Sequence, residues 1–144
     1  MKQKNDFNLV TDITVIEAWE ILKKNSGAHL IDVRTEAEII FVGYPTLKSI
    51  DKEVIFIPWL FYPGSILNQD FKKILCEQFI NKDDHLLFIC RTGGRSGHAA
   101  IVSSEFGYKN CYNIEDGFEG DMNSLRQRGK ISGWKFFNLP WEQT

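Results

Sequence analysis

The sequence is poor in cysteine, and its three cysteines lie far apart. They are Cys76, Cys90 and Cys111, and they form no Cys-x-x-Cys pair, which argues against a disulfide framework and against a zinc site. An odd number of scattered cysteines is typical of a protein from a reducing compartment, so we expect a cytoplasmic location.

Long hydrophobic runs are also lacking. The longest, VIFIPWLFY at residues 54–62, is short and is broken by Pro58, so it cannot span a bilayer. The first ten residues, MKQKNDFNLV, have no apolar core of signal-peptide length. The net charge of −2 leaves no basic surface of the kind that nucleic-acid binders need. We therefore expect neither a membrane nor a nucleic acid as a partner.

What the sequence does contain suits a single folded domain. Its 144 residues are 43% hydrophobic and 25% charged, which is ordinary for a protein with one hydrophobic core. No linker, repeat or low-complexity tract divides the chain. We expect one domain over residues 1–144, with residues 1–6 as a flexible tail.

Strand-like and helix-like segments alternate along the chain. Thr14 and Thr35 each precede a glutamate by three residues, a capping-box pattern that predicts a helix directly after each threonine. Strands are predicted at residues 29–33, 54–57, 86–89 and 112–114, and further helices at 70–80, capped by Asn68, and at 95–106. This alternation predicts an α/β fold with a parallel sheet and helices on both faces, in which ligands bind at the carboxyl ends of the strands.

The stretch LLFICRTGGRSGHAA, residues 86–100, combines features that favour a reactive thiol. Cys90 ends a predicted buried strand and precedes a predicted helix, whose first N–H groups have no internal partner and carry partial positive charge. Gly93 and Gly94 let the backbone curl so that its N–H groups converge into an anion-binding nest. Arg91 and Arg95 add positive charge. Together these features favour a thiolate, so we expect a nucleophile at the floor of an anion pocket.

Three segments of the sequence resemble the rhodanese family of sulfurtransferases. Cys90-Arg-Thr-Gly-Gly-Arg-Ser96 resembles the family's active-site loop. Leu30-Ile-Asp-Val-Arg34, followed by Glu36 and Glu38, resembles its DVR segment, and Asp116-Gly117-Phe118 resembles its late glycine turn. The resemblance covers nearly the whole chain. It implies a three-layer α/β fold, in which a five-stranded parallel sheet is flanked by helices on both faces.

The resemblance also implies a two-step reaction. The Cys90 thiolate takes a sulfane sulfur from an anionic donor such as thiosulfate and becomes a persulfide, from which cyanide, a thiol or a protein acceptor removes the outer sulfur. No metal or organic cofactor is needed. Asp32 and Arg34 are expected to support the site. The expected substrate-binding residues are Arg91, Thr92, Gly93, Gly94, Arg95 and Ser96.

One segment departs from the family pattern. Many members carry Gly-His-Ile-x-Gly-Ala after the DVR segment, whereas Gly43-Tyr-Pro-Thr-Leu47 stands here, so we assign no role to a histidine and expect a distinct subfamily. Further along, Trp59, Phe61 and Tyr62 follow a predicted strand. Trp59 is the candidate pocket wall or partner contact, while Phe61 and Tyr62 either share that role or fill core beneath a long loop.

Two other classes of function are open at this point. A sulfur carrier or a partner-recognition module with little turnover would have the same loop as the enzyme. A phosphatase or an arsenate-type reductase on the same fold is the more remote alternative, because cell-cycle-type phosphatases need a Cys-x5-Arg loop to grip a phosphoryl group. Arg95 follows Cys90 after only four residues, so this loop is one residue short of that pattern.

Overall fold

The predicted alternation of strands and helices is present in a computed structural model, which describes residues 10–144. The tail that the sequence predicts at residues 1–6 lies outside the described residues. A five-stranded, wholly parallel sheet forms the middle layer. Its strands are β1 Val10–Ile13, β2 Ala28–Asp32, β3 Ile55–Phe56, β4 His85–Ile89 and β5 Asn110–Ile114, in the order β1-β5-β4-β2-β3.

Helices connect these strands, and the two with predicted ends, at residues 80 and 106, end at Gln78 and Glu105. The helices are α1 Val15–Lys24, α2 Glu36–Val42, α3 Phe71–Gln78 and α4 Gly94–Glu105. Both predicted capping boxes are present. In α1 the Thr14 hydroxyl accepts from the Glu17 N–H, and the Glu17 carboxylate accepts from the Thr14 N–H. In α2 Thr35 and Glu38 form the same two hydrogen bonds. Within residues 10–144, every helix is too short or too polar to traverse a bilayer.

Short elements complete the fold. A 3-10 turn covers Lys48–Ile50. Tyr44–Pro45 pairs antiparallel with Trp141–Glu142, which ties the segment after α2 to the C-terminus. Leu60–Phe61 pairs antiparallel with Ile66–Leu67 and forms a hairpin after β3.

Side chains alternate between the two faces of the sheet along β4, so the protein has a core on each side. Phe88 and Cys90 belong to one core, in which α3 and α4 pack against the sheet. Leu87 and Ile89 belong to the other, which α1 and the C-terminal segment cover. Trp134 in that segment is fully buried. This is the three-layer arrangement that the resemblance implies, and it places Cys90 at the carboxyl end of a central strand.

One strand of the five-stranded sheet differs from the prediction, as does one helix cap. β1 (Val10–Ile13) is paired only with β5, which lies far away along the chain, so no local pattern marks it. Asn68 does not cap α3. Its side-chain amide donates to the Pro58 carbonyl at 2.9 Å and its oxygen accepts from the Asp70 N–H at 3.0 Å, so it holds the turn before the helix instead.

Candidate active site

Cys90 lies where β4 ends and the loop to α4 begins, and it is only 1% exposed. Its sulfur accepts hydrogen bonds from the backbone N–H groups of Gly93 at 3.2 Å and of Ser96 at 3.3 Å. Both donors lie at the N-terminal end of α4, where N–H groups carry partial positive charge. The loop therefore curls around the sulfur and presents donors to it, as the sequence predicts.

The two loop glycines are not equivalent. Gly93 has φ +100°, and a Cβ there would lie 2.3 Å from the carbonyl oxygen of Glu115, so only glycine fits. Gly94 begins α4, and a Cβ there would meet nothing within 4 Å. The sequence assigns the curl of the backbone to both glycines, but only Gly93 has a positive φ. Thr92, between the arginine and the glycines, is half-buried in the loop.

The Asp116-Gly117-Phe118 turn holds the loop from behind. The Phe118 N–H donates to the Cys90 carbonyl at 2.8 Å, and the Glu119 N–H donates to the Arg91 carbonyl at 3.0 Å. Gly117 has φ +66°, and a Cβ there would lie 2.4 Å from the Arg91 oxygen. The turn thus fixes the backbone on which the thiol and the first arginine are mounted.

Ser96 joins the sulfur to a polar chain that the sequence analysis missed. Its Oγ lies 3.2 Å from Cys90 Sγ and donates to Asn113 Oδ1 at 2.6 Å, while Asn113 Nδ2 donates to Asp12 Oδ1 at 3.1 Å. Gly97 leaves room for the amide, because a Cβ there would lie 3.3 Å from Asn113 Nδ2. The sequence signal that could have pointed here is Asn113 itself, a polar residue between Tyr112 and Ile114 in a predicted strand, because a buried polar side chain needs a hydrogen-bond partner.

Arg95 is engaged by an acidic partner. Its Nη1 and Nη2 donate to Glu38 Oε1 and Oε2 at 2.6 and 2.8 Å, a bidentate pair between α4 and α2. Burial acts to raise the pKa of Glu38, but the Arg95 guanidinium and the Thr35 hydrogen bonds outweigh it and lower this pKa from 4.5 to about 2. Arg91, by contrast, is exposed and has no ion pair with any residue from 10 to 144. The charge of Arg95 is therefore balanced by Glu38, whereas Arg91 can present its full positive charge to an incoming anion.

Asp32 and Arg34 form a fully buried ion pair behind the loop. Arg34 Nη2 and Nε donate to the Asp32 carboxylate at 2.7 and 3.0 Å, and Nη2 also donates to the Gly43 carbonyl at 2.9 Å. The guanidinium lies 4.3 Å from the centre of the Phe118 ring. Because the Phe118 N–H donates to the Cys90 carbonyl, the Asp32–Arg34 pair contacts the turn that supports the thiol and does not contact the thiol itself.

A pocket of about 520 Å³ opens beside the loop, and of the loop's predicted site residues it is Arg91 and Arg95 that line it, not Cys90. Its apolar lining comes from α2 and from the hairpin after β3. These apolar residues are Phe41, Val42, Leu60, Phe61 and Tyr62.

Trp59 does not line this pocket but a separate cavity of about 190 Å³, which Val102 and Phe106 also line, so its role as a pocket wall or partner contact stays a prediction. Its ring packs edge-on against Phe71 at 5.0 Å between ring centres and joins the core beneath α3 and α4. This segment contributes to the larger pocket through the next three residues along the chain, Leu60, Phe61 and Tyr62. A side chain in a short irregular segment can face either way, so spacing alone did not distinguish these positions.

The chain is similar to known proteins along nearly its whole length. The family model described as the STR4 middle domain matches residues 11–144. The uncharacterized protein RC0915 of Rickettsia conorii is 41% identical over 135 residues, which cover 92% of this chain and 98% of that protein. Rhodanese-like domain-containing protein 17 of Arabidopsis thaliana is 33% identical over 117 residues, covering 79% of this chain and 69% of that protein. The crystal structure of Rv0390 from M. tuberculosis is 41% identical with a TM-score of 0.84, covering 92% of this chain and 97% of that one.

Proposed function

The chain belongs to the rhodanese-like family of sulfurtransferases, and on that premise we propose that it carries a sulfane sulfur as a persulfide on Cys90. In the first step the Cys90 thiolate attacks the outer sulfur of a donor such as thiosulfate. The sulfur–sulfur bond of the donor breaks, and sulfite leaves with the electron pair. In the second step cyanide or a thiolate attacks the outer sulfur of the persulfide and releases the Cys90 thiolate.

The surroundings of the Cys90 sulfur are the observation that carries this proposal. The sulfur already accepts from the N–H groups of Gly93 and Ser96, so the donors that stabilise an anionic sulfur are preorganised. Because the residue is almost fully buried, those donors act in a medium of low dielectric constant, where they contribute more than in water.

Arg95 supports sulfur chemistry over phosphoryl or arsenate chemistry. A phosphatase loop uses its arginine to grip two oxygens of a phosphoryl group. Here both terminal nitrogens of Arg95 are taken by the Glu38 carboxylate, and the loop is one residue short of Cys-x5-Arg. An oxyanion substrate would first have to displace a charge-assisted bidentate pair.

The test is the intact mass of the protein after incubation with thiosulfate, followed by addition of cyanide and measurement of thiocyanate. We expect one extra sulfur atom on the wild type, lost to cyanide with release of thiocyanate. Cys90→Ser should gain no sulfur, whereas the matched control Cys76→Ser, which changes a thiol on α3 outside the site, should gain it as the wild type does.

The same experiment separates the alternatives. A sulfur that loads on wild-type Cys90 but leaves only slowly with cyanide or small thiols would replace the turnover enzyme by a sulfur carrier. Sulfur gain on Cys90→Ser, or none on the wild type with any sulfane donor, would overturn the proposal.

A further inference from the structure

A second cluster of reactive side chains lies outside the Cys90 loop, where α3 ends and the chain turns toward β4. Lys82 Nζ donates to Cys76 Sγ at 3.5 Å, and the same ammonium lies 3.9 Å from the centre of the Tyr108 ring. Cys76 is partly exposed, whereas Cys90 and Cys111 are buried. The cluster therefore joins the most accessible of the three thiols to an amine.

The Lys82 ammonium has no carboxylate partner within residues 10–144. The next two residues are aspartates, but their carboxylates bind Lys109 and His29. Burial raises the pKa of the Tyr108 hydroxyl, and a hydrogen bond with Cys76 raises it further, so the tyrosine faces Lys82 as a neutral ring. Cys76 is thus the group beside the ammonium that can carry the opposite charge.

This contact suits oxidation by a peroxide. Peroxides oxidise the thiolate form of cysteine to a sulfenic acid, and an adjacent ammonium stabilises the thiolate. A sulfenic acid condenses with a nitrogen nucleophile to a sulfenamide, in which sulfur and nitrogen are bonded. An ammonium is not a nucleophile, so Lys82 can react only after it has lost a proton. The contact brings together the sulfur, a proton donor and a nitrogen that becomes nucleophilic once that proton has left.

We propose that Cys76 and Lys82 form a redox-sensitive pair, in which hydrogen peroxide joins Sγ to Nζ as a sulfenamide. The Cys76 thiolate attacks one peroxide oxygen, the O–O bond breaks, and the leaving hydroxide takes a proton from the Lys82 ammonium to become water. The neutral amine then attacks the sulfenic sulfur, and the hydroxyl group leaves with a proton of the amine as a second water. Sulfur is oxidised by two electrons and the peroxide is reduced by two, so atoms, electrons and charge balance.

The bridge makes the oxidation of Cys76 reversible. A thiol opens a sulfenamide by attacking its sulfur, which releases the amine, whereas sulfinic and sulfonic acids are not restored by thiols. Lys82 therefore protects Cys76 from irreversible oxidation, and the bond ties α3 to the turn before β4. The pair shares no residue with the Cys90 site, so this proposal is independent of the proposed function.

The test is a tryptic peptide map of the full-length protein after incubation with hydrogen peroxide, with free thiols blocked by iodoacetamide before digestion. Trypsin cuts after Lys82 when its amine is free, so the bridge should leave residues 74–91 as one uncut peptide. The mass of this peptide should be lower by two hydrogen atoms than with Cys76 and Lys82 unmodified, and dithiothreitol before digestion should restore the cut. The map is repeated on Cys90→Ser, in which this peptide holds one thiol and can form no internal disulfide.

Two variants separate the bond from the charge. Lys82→Arg keeps a positive charge near the sulfur, but a guanidinium stays protonated and cannot attack it. We expect no bridge in this variant, and Cys76 should accumulate as sulfinic and sulfonic acids instead. Lys109→Gln is the matched control, because it removes an exposed lysine whose partner is Asp83 and leaves Cys76 and Lys82 in place. It should form the bridge as the wild type does.

Dimedone, which traps sulfenic acids, is added after the peroxide to distinguish the outcomes. A dimedone adduct on Cys76 together with a normal cut after Lys82 in the wild type would mean that the thiol is oxidised without a bond to nitrogen, and the proposal would be wrong. A Cys76 that peroxide leaves unmodified would overturn it as well. A peptide lighter by two hydrogen atoms in Lys82→Arg would place the bond on another residue and would also contradict the pair.

Discussion

Ser96 gives its hydroxyl proton to Asn113 and not to the thiol beside it. Its Oγ lies 2.6 Å from Asn113 Oδ1 and 3.2 Å from Cys90 Sγ. The Asp12 carboxylate accepts from Asn113 Nδ2, which holds the amide with its oxygen toward Ser96. Ser96 Oγ therefore faces the sulfur as an acceptor, and Asn113 competes with an anionic sulfur for the same proton.

Asn113→Ala should speed the alkylation of Cys90 by iodoacetamide at neutral pH. Without the amide oxygen, the Ser96 hydroxyl is free to turn its proton to the sulfur, and a hydrogen bond to a charged acceptor contributes about 1.5–3 kcal/mol. We expect an increase of roughly severalfold, measured by peptide mass so that Cys76 and Cys111 are counted separately.

The hydroxyl itself provides the control. In a Ser96→Ala background the Asn113→Ala substitution should give no increase, because no proton remains to be released. An equal increase in both backgrounds would mean that Asn113→Ala acts by loosening the loop, and the competition described for Ser96 would be wrong.

Two adjacent glycines should respond in opposite ways to the same substitution. Gly93→Ala puts a Cβ 2.3 Å from the Glu115 oxygen at φ +100°, so we expect a loss of about 2 kcal/mol or more and little persulfide formation. Gly94→Ala places its Cβ in open space at the start of α4 and should be neutral or stabilise by up to about 1 kcal/mol. Urea unfolding and thiocyanate release measure both. Similar losses for the two variants would contradict this reading of the loop.

Local patterns account for what the sequence predicted well. The capping boxes of Thr14 and Thr35 depend on residues three apart, and the Cys90–Ser96 loop is a contiguous motif, so both could be recognised without tertiary information. The central strands β2 and β4 have apolar stretches, residues 30–31 and 86–89, as strands buried on both faces do.

The features of the site that the sequence does not predict are contacts between distant segments of the chain. Glu38 and Arg95 each stand in a predicted motif, yet their pairing joins residues 57 apart and depends on how α2 packs beside the loop. Asn113 reaches Ser96 across β5 and α4, beside Gly97, where a Cβ would make a tight contact of 3.3 Å with the amide. Neither relationship follows from composition or spacing, because each depends on how separate elements are placed in the fold.

Asp32→Asn should be strongly destabilising. Both members of the Asp32–Arg34 pair are fully buried, so the substitution leaves a guanidinium without its counter-charge, which typically costs about 3–5 kcal/mol. Glu20→Gln, which breaks surface contacts with Lys23 and Lys24, should give no measurable change. Urea unfolding of both variants tests this. If Asp32→Asn unfolds at the same urea concentration as Glu20→Gln, the buried pair is not a support of the site.

The Glu38–Arg95 pair should make stability depend on pH below 4.5. The pKa of Glu38 is lowered from 4.5 to about 2 in the folded protein, so the pair stabilises fully above pH 4.5 and is lost as the pH falls toward 2. The shift corresponds to on the order of 3 kcal/mol. Glu38→Gln keeps a capping-box side chain but removes the charge. The free energy of unfolding of Glu38→Gln should therefore fall below that of the wild type by a smaller amount at about pH 3 than at about pH 6. A deficit that is constant over that range would assign the loss to packing.

Glu38→Gln should also change which donor the pocket prefers. Removing the carboxylate frees the Arg95 guanidinium and leaves two uncompensated positive charges beside Cys90, which favours a dianion. We expect kcat/KM for thiosulfate, a dianion, to rise relative to kcat/KM for methanethiosulfonate, a monoanionic sulfane-sulfur donor. Glu77→Gln, an exposed change on α3, should leave that ratio at the wild-type value. An unchanged ratio in Glu38→Gln would show that Arg95 does not reach the donor even when it is free. Arg91 would then be the one loop arginine that acts on the substrate.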